Sequence, residues 1–127
     1  MSKEHLELGR AGEKLAASLL RKNGYRILEK NYKTRLGEID IIAKDRDAFC
    51  FVEVKTRHSQ KFGLPAESLL RHKQRQIAKS ALVYLKANNL LDKSARFDVV
   101  SVTYAQGEPP RLDLIKNAFE LDASFTY

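Results

Sequence analysis

Asp40, Glu53 and Lys55 are the residues whose types and spacing suit catalysis. They lie in two short runs, Gly37-Glu38-Ile39-Asp40-Ile41-Ile42-Ala43 and Phe51-Val52-Glu53-Val54-Lys55-Thr56-Arg57. Asp45-Arg46-Asp47 lies between them and reads as the turn of a hairpin. With Arg46-Asp47 as a two-residue turn, residues that face each other across the hairpin have numbers summing to 93. Ile39 then faces Val54, Ile41 faces Val52 and Ala43 faces Cys50, which makes one face wholly apolar. On the other face Glu38 meets Lys55, Asp40 meets Glu53 and Ile42 meets Phe51. A slip of one residue would send the apolar set to the wrong side. Two carboxylates placed directly opposite each other destabilise a sheet, unless a cation or a shared proton belongs between them. Hard oxygen donors in this number suit Mg²⁺ or Mn²⁺, which bind through one or two carboxylates, several waters and a substrate phosphate.

The Glu-x-Lys pattern alone is common on exposed strands; the acid on the same face of the neighbouring strand is what gives it meaning. Three further residues border this chemistry. Gln74 falls in the middle of an apolar helical stripe, where a buried amide must find partners, with a nearby backbone group as the ordinary one. Lys73 falls at the edge of the same stripe and can reach over the sheet. Glu13 lies seven residues from both Leu6 and Leu20, so it borders an apolar arc instead of joining Arg10 and Lys14. Its ordinary place is in water, and only the other carboxylates make it a candidate ligand.

The elements that must position these groups can be read from periodicity. Leu8, Gly12, Leu15, Ala16, Leu19 and Leu20 share one arc at 100° per residue, which predicts a helix from Lys3 to Lys22. Asn23-Gly24 ends it. Gly9 and Gly12 each weaken such a helix by roughly 1 kcal/mol relative to alanine, so a close approach to the backbone is expected there. Strands are expected over Tyr25–Tyr32, Leu36–Lys44 and Ala48–Thr56. A second helix is expected from Pro65 to Asn88, with Leu70, Ile77, Ala78, Ala81, Leu82 and Leu85 as its buried stripe. Phe97–Tyr104 and Arg111–Ile115 read as two last strands. The order αβββαββ implies an α/β domain built on one mixed sheet with helices packed on it.

Length and composition exclude several classes. The 127 residues suit one ordinary domain, 1–127, and 43% hydrophobic residues can form a core. One cysteine, Cys50, rules out an intrachain disulfide framework, and three unpaired histidines argue against structural zinc. Residues 1–14 carry six charges and no apolar run, so a cytoplasmic protein without membrane association is expected. With 23 basic against 16 acidic residues the chain carries +7, a surplus that attracts polyanions such as nucleic acid. The charge is clustered: residues 21–35 hold six basic and one acidic side chain and residues 55–79 seven and one, while residues 36–54 hold two and five. An acidic island thus separates two basic stretches.

The two runs around Asp40 and Glu53 resemble the PD-(D/E)xK nuclease signature, with Ile39 in place of its proline. More narrowly, the chain resembles the YraN-like family of small bacterial proteins, which are similar to archaeal Holliday-junction resolvases. Gly9, Gly12-Glu13, Gly24-Tyr25, the helix of Lys73 and Arg96-Phe97-Asp98-Val99-Val100 extend the likeness over roughly residues 9–119. The resemblance implies a restriction-endonuclease-like fold, with a central mixed sheet of about five strands flanked by helices. It implies that Asp40, Glu53 and the carbonyl of Val54 hold Mg²⁺ or Mn²⁺, that Glu13 completes the metal site, and that Lys55 orients or activates water. Glu38, Arg57, Lys73 and Gln74 become supporting residues. A metal-dependent endonuclease that is structure-selective on DNA more than on RNA is the expectation, with a homodimer possible by analogy. A nucleic-acid-binding module with the same fold and no catalysis is the alternative.

Overall fold

The computed structural model describes residues 3–58 and 71–120. Its elements run α1 (Lys3–Lys22), β1 (Arg26–Thr34), β2 (Gly37–Asp45), β3 (Ala48–His58), α2 (Arg71–Ala87), β4 (Ala95–Tyr104) and β5 (Arg111–Ile115). This is the αβββαββ order, and the five strands form one mixed sheet in the order β1-β2-β3-β4-β5. Only β3 and β4 are parallel; the other neighbours are antiparallel. The arrangement is consistent with a restriction-endonuclease-like fold. The expected start of the second helix at Pro65, and Leu70 of its stripe, lie outside the described residues.

The parallel pair explains the layering. A parallel connection needs a crossover, and α2 lies within it, so β3 and β4 are covered on both faces. Their sequences accordingly contain apolar runs, Phe49–Val52 and Val99–Val100, that are buried throughout. On one face Ala16, Ala17 and Leu20 of α1 pack with Ile41, Ala43, Cys50, Val52, Val100 and Val102. On the other, Ile77, Ala78, Ala81, Tyr84 and Leu85 of α2 pack with Ile42, Phe49, Phe51 and Phe97. Burial of side chains such as Leu20 and Phe51 stabilises the fold by ~1.5–3 kcal/mol each.

Tyr84 and Ser80 of α2 are also buried, which the apolar stripe alone did not anticipate, while Leu82 is only half-buried. Tyr84 packs edge-on against Tyr32 and Phe51. Ser80 shares a 3.0 Å hydrogen bond with Thr34 Oγ1, which also accepts from the amides of Leu36 and Gly37. The β1–β2 turn is thereby fastened to α2.

Of the two helix glycines, Gly12 has the expected close neighbour. A Cβ there would sit 2.7 Å from Thr56 Oγ1 of β3, so glycine lets α1 lie directly on the strand that carries Glu53. At Gly9 nothing among the described residues comes within 4 Å of such a Cβ.

Candidate active site

The hairpin register is the one the alternation predicts, from Asp45–Ala48 at the tip through Ala43–Cys50 to Ile41–Val52. There the ladder stops, and the expected face pattern stops with it. Ile39 packs in the cluster under α2 together with Ile42, whereas Ile41 packs under α1. The expectation that Ile39 and Val54 complete one apolar face is therefore corrected, and so is the pairing of Glu38 with Lys55. Glu38 instead faces Lys33 of β1. Across β1, Asn31 takes a left-handed conformation (φ 53°) between the Lys30–Ile41 and Tyr32–Ile39 pairs. Asparagine is among the few non-glycine residues that tolerate this conformation.

Where β2 and β3 part, Asp40 fills the gap. A continued ladder would offer the Val54 amide to the Ile39 carbonyl; instead Val54 N donates to Asp40 Oδ2 at 2.8 Å. Asp40 and Glu53 thus meet side chain to side chain. Each acid is close enough to perturb the ionisation of the other. Burial is the main cause that raises both pKa values. Glu53 is pushed up to about 8, first by burial and then by the charge of Asp40, against the opposing charge of Lys73. Lys73 Nζ of α2 lies 3.5 Å from Glu53 Oε1, while Glu53 Oε2 is buried without a donor.

The other predicted residues surround this pair at different depths. Lys55 is half-buried on the same strand, and its pKa is lowered by burial and by the neighbouring charge of Arg57. Arg57 is likewise half-buried on β3. Glu13 reaches in from α1; its pKa is raised by burial and then by the charges of Asp40 and Glu38, and Asn31 hydrogen-bonds to it. Gln74, expected to be a buried amide, is half-buried one residue after Lys73. Among the described residues no three acidic, histidine or cysteine side chains come close enough together to enclose a metal ion. Glu13 and Glu38 lie near enough to act on the Asp40–Glu53 pair through their charge.

The surroundings are basic. The sequence of α2, from Arg71 to Ala87, holds no acid. Arg71, Arg75, Lys79 and Lys86 are all on its exposed surface. Like charges four residues apart, as in Arg71–Arg75–Lys79, destabilise a helix by ~0.2–0.5 kcal/mol per pair, and a polyanion relieves that cost.

A second polar cluster, at the far end of the sheet, escaped the sequence reading as a unit. Asp98 is fully buried and accepts hydrogen bonds from Arg96 at 2.8 and 2.9 Å, from Tyr25 Oη at 2.7 Å and from the Asn117 amide at 2.9 Å. Arg96 also bonds Asp45 at 2.9 Å. Burial opposes ionisation of Asp98, but these donors outweigh it and hold its pKa below the ordinary carboxylate value. The cluster ties β2, β4 and the exits of α1 and β5 together.

Residues 12–102 match the description "Uncharacterised protein family UPF0102". The chain belongs to the UPF0102 family. A UPF0102 protein of Syntrophus aciditrophicus is 51% identical over 118 residues, which cover 93% of this chain and 92% of that one. One from Geobacter metallireducens is 48% identical over 121 residues, covering 95% and 98% respectively. One from Caldanaerobacter subterraneus subsp. tengcongensis is 47% identical over 115 residues, covering 88% and 93%. The YraN-like resemblance read from the motifs is thus confirmed at the level of the family. Among the described residues no helix is long and apolar enough to cross a membrane.

Proposed function

We propose that this chain is a metal-dependent phosphodiesterase that cuts nucleic acid, DNA more readily than RNA. The observation that carries the reading is the buried Asp40–Glu53 pair: two acids held together where β2 and β3 part, with Lys55 next along the strand. A divalent cation fits these residues. Glu53 Oε2 is buried without a donor, and the charge of Asp40 disfavours ionisation of Glu53. A metal of the Mg²⁺ class needs only one or two protein carboxylates, with water and substrate phosphate completing its shell. Asp40, Glu53 and the Val54 carbonyl would hold it, with Glu13 acting through water. When bound, such an ion neutralises phosphate charge and lowers the pKa of bound water.

The chain's own residues account for the remaining requirements. The Val54 amide fixes the orientation of the Asp40 carboxylate. Lys55, made a weaker base than usual by burial and by Arg57, holds or delivers a proton near the scissile phosphate, a role worth ~10²–10⁴ in rate. Lys73 neutralises Glu53 in the metal-free protein and is available to a phosphate once a cation takes that place. The exposed cations of α2 contact the backbone, which gives affinity without sequence information; cleavage selected by nucleic-acid shape follows. The experiment is incubation with linear, branched and single-stranded substrates in Mg²⁺, in Mn²⁺ and in chelator. Metal-dependent products support the reading. Binding with no cleavage under any condition favours a non-catalytic nucleic-acid-binding module.

A further inference from the structure

The tip of the β2–β3 hairpin carries an arrangement opposite in sign to the carboxylate pair. Arg26 of β1 is the direct cross-strand partner of Lys44 of β2. Two like charges in that position destabilise a sheet. Arg46 follows in the turn, held in a left-handed conformation (φ 57°). None of Arg26, Lys44 and Arg46 has an ion-pair partner among the described residues. Nearby Asp45 is already engaged by Arg96 at 2.9 Å and Lys116 at 3.3 Å, which leaves Asp47 as the acid of the turn. Two adjoining depressions share Gly24 and Arg46: one of about 270 Å³ between Arg26 and Lys44, and one of about 490 Å³ reaching Arg96 and Lys116. Cations border both, and Asp45, held by Arg96 and Lys116, also lines the larger one.

We infer that the hairpin tip is a second phosphate-binding site for the backbone of the nucleic acid whose cleavage is proposed above, and the inference rests on that reading. Arg46 lies six residues from Asp40 along the hairpin, which at ~3.3 Å per residue places the two sites roughly 20 Å apart. Phosphates along one strand recur every ~3.4 Å, so the separation spans about six base pairs. The exposed cations of α2 run in the same direction: Lys73 lies beside Glu53, and Leu85 packs with Phe49 near the tip. A duplex arm of sufficient length therefore engages the carboxylate site and the tip at once, and a shorter arm engages only one.

The test measures binding, in chelator, of fluorescein-labelled DNA stem-loops with stems of about 5 and about 16 base pairs, to either side of the six-pair span. The variant is Arg26→Gln/Lys44→Gln/Arg46→Gln, compared with wild type after matching circular dichroism and melting. If the triple variant is misfolded, exposed Arg26→Gln alone takes its place. For the long stem the triple variant should bind at least ~10-fold more weakly, and its salt slope should be shallower by ~2–3, at ~0.9 for each phosphate that is no longer neutralised. Short-stem binding should weaken by less, because a short stem does not engage the tip and the carboxylate site together. Equal affinity and slope on the long stem overturn the inference and leave the proposed cleavage standing, whereas a wild type that binds neither stem overturns both. Displacement of the long stem by poly-glutamate at equal charge concentration would assign the tip to an acidic polypeptide and overturn the inference too.

Discussion

Replacing Glu53 with glutamine should make the metal-free protein more stable at alkaline pH, and by an amount that depends on pH in one direction. Burial and the charge of Asp40 raise the Glu53 pKa from 4.5 to about 8. In the unfolded chain Glu53 ionises near its ordinary value. Below about pH 4.5 both states hold the proton, and the native state keeps its full stability. Between about 4.5 and 8 the unfolded state gives up a proton that the folded state retains, so stability falls as pH rises; above that range the loss levels off. At 1.36 kcal/mol per pKa unit, a rise of about 3.5 units sets a ceiling of ~5 kcal/mol. Because the two acids share the strain, a loss of at least ~1.4 kcal/mol, one pKa unit, is expected. Glutamine cannot ionise and still offers an acceptor to Lys73. The assay is urea unfolding of wild type and Glu53→Gln from pH 4.5 to 8.5 in chelator. A difference between the two proteins that does not change with pH would refute the coupled-acid account.

Other consequences concern neighbouring residues. Asp40→Asn keeps an acceptor for the Val54 amide and gives Glu53 a donor, so the metal-free variant should melt above wild type at pH 8. Mn²⁺ at a hundredfold excess over its dissociation constant should stabilise wild type by ~2.7 kcal/mol and the asparagine variant far less, as read by thermal melts. Gly12→Ala gains ~1 kcal/mol of helix propensity but meets Thr56 Oγ1 at 2.7 Å, an overpacking of ~1–3 kcal/mol. It should be destabilising in wild type and stabilising in a Thr56→Ala background, and a thermodynamic cycle that keeps the same sign in both would dismiss that contact. Arg96→Leu leaves fully buried Asp98 without its cation and should cost ~3–5 kcal/mol, checked by urea unfolding at pH 7.

The apolar alternation was enough to place the hairpin in register as far as Ile41–Val52, because it sorts Ile41, Ala43, Cys50 and Val52 onto one face, which packs under α1. It could not show that the pattern breaks at Asp40. That break is the departure of β2 from β3 beyond the Ile41–Val52 pair, which the apolar alternation does not encode. The nearness of Asp40 to Glu53 was legible because both lie just beyond the Ile41–Val52 pair that the alternation places, while the approach of Lys73 from α2 depended on which way the helix crosses the sheet. Ser80 and Tyr84 are polar by type, and their burial is created by Thr34, Tyr32 and Phe51 arriving from elsewhere. The Arg96–Asp98 cluster draws Tyr25, Asp45 and Asn117 from distant parts of the chain, so no local window contains it. Arg26 and Lys44 belong to stretches of opposite net charge in the sequence, and only the β1–β2 ladder sets them face to face.

The most direct test of the central claim is the rate of cleavage of a branched DNA substrate in Mn²⁺ by wild type, Asp40→Asn and Glu53→Gln, each first shown to be folded and to bind the substrate. The Asp40–Glu53 site predicts metal-dependent cleavage by wild type and none by either variant, with binding retained. Cleavage by the variants at the wild-type rate, or by wild type equally well in chelator, would contradict it.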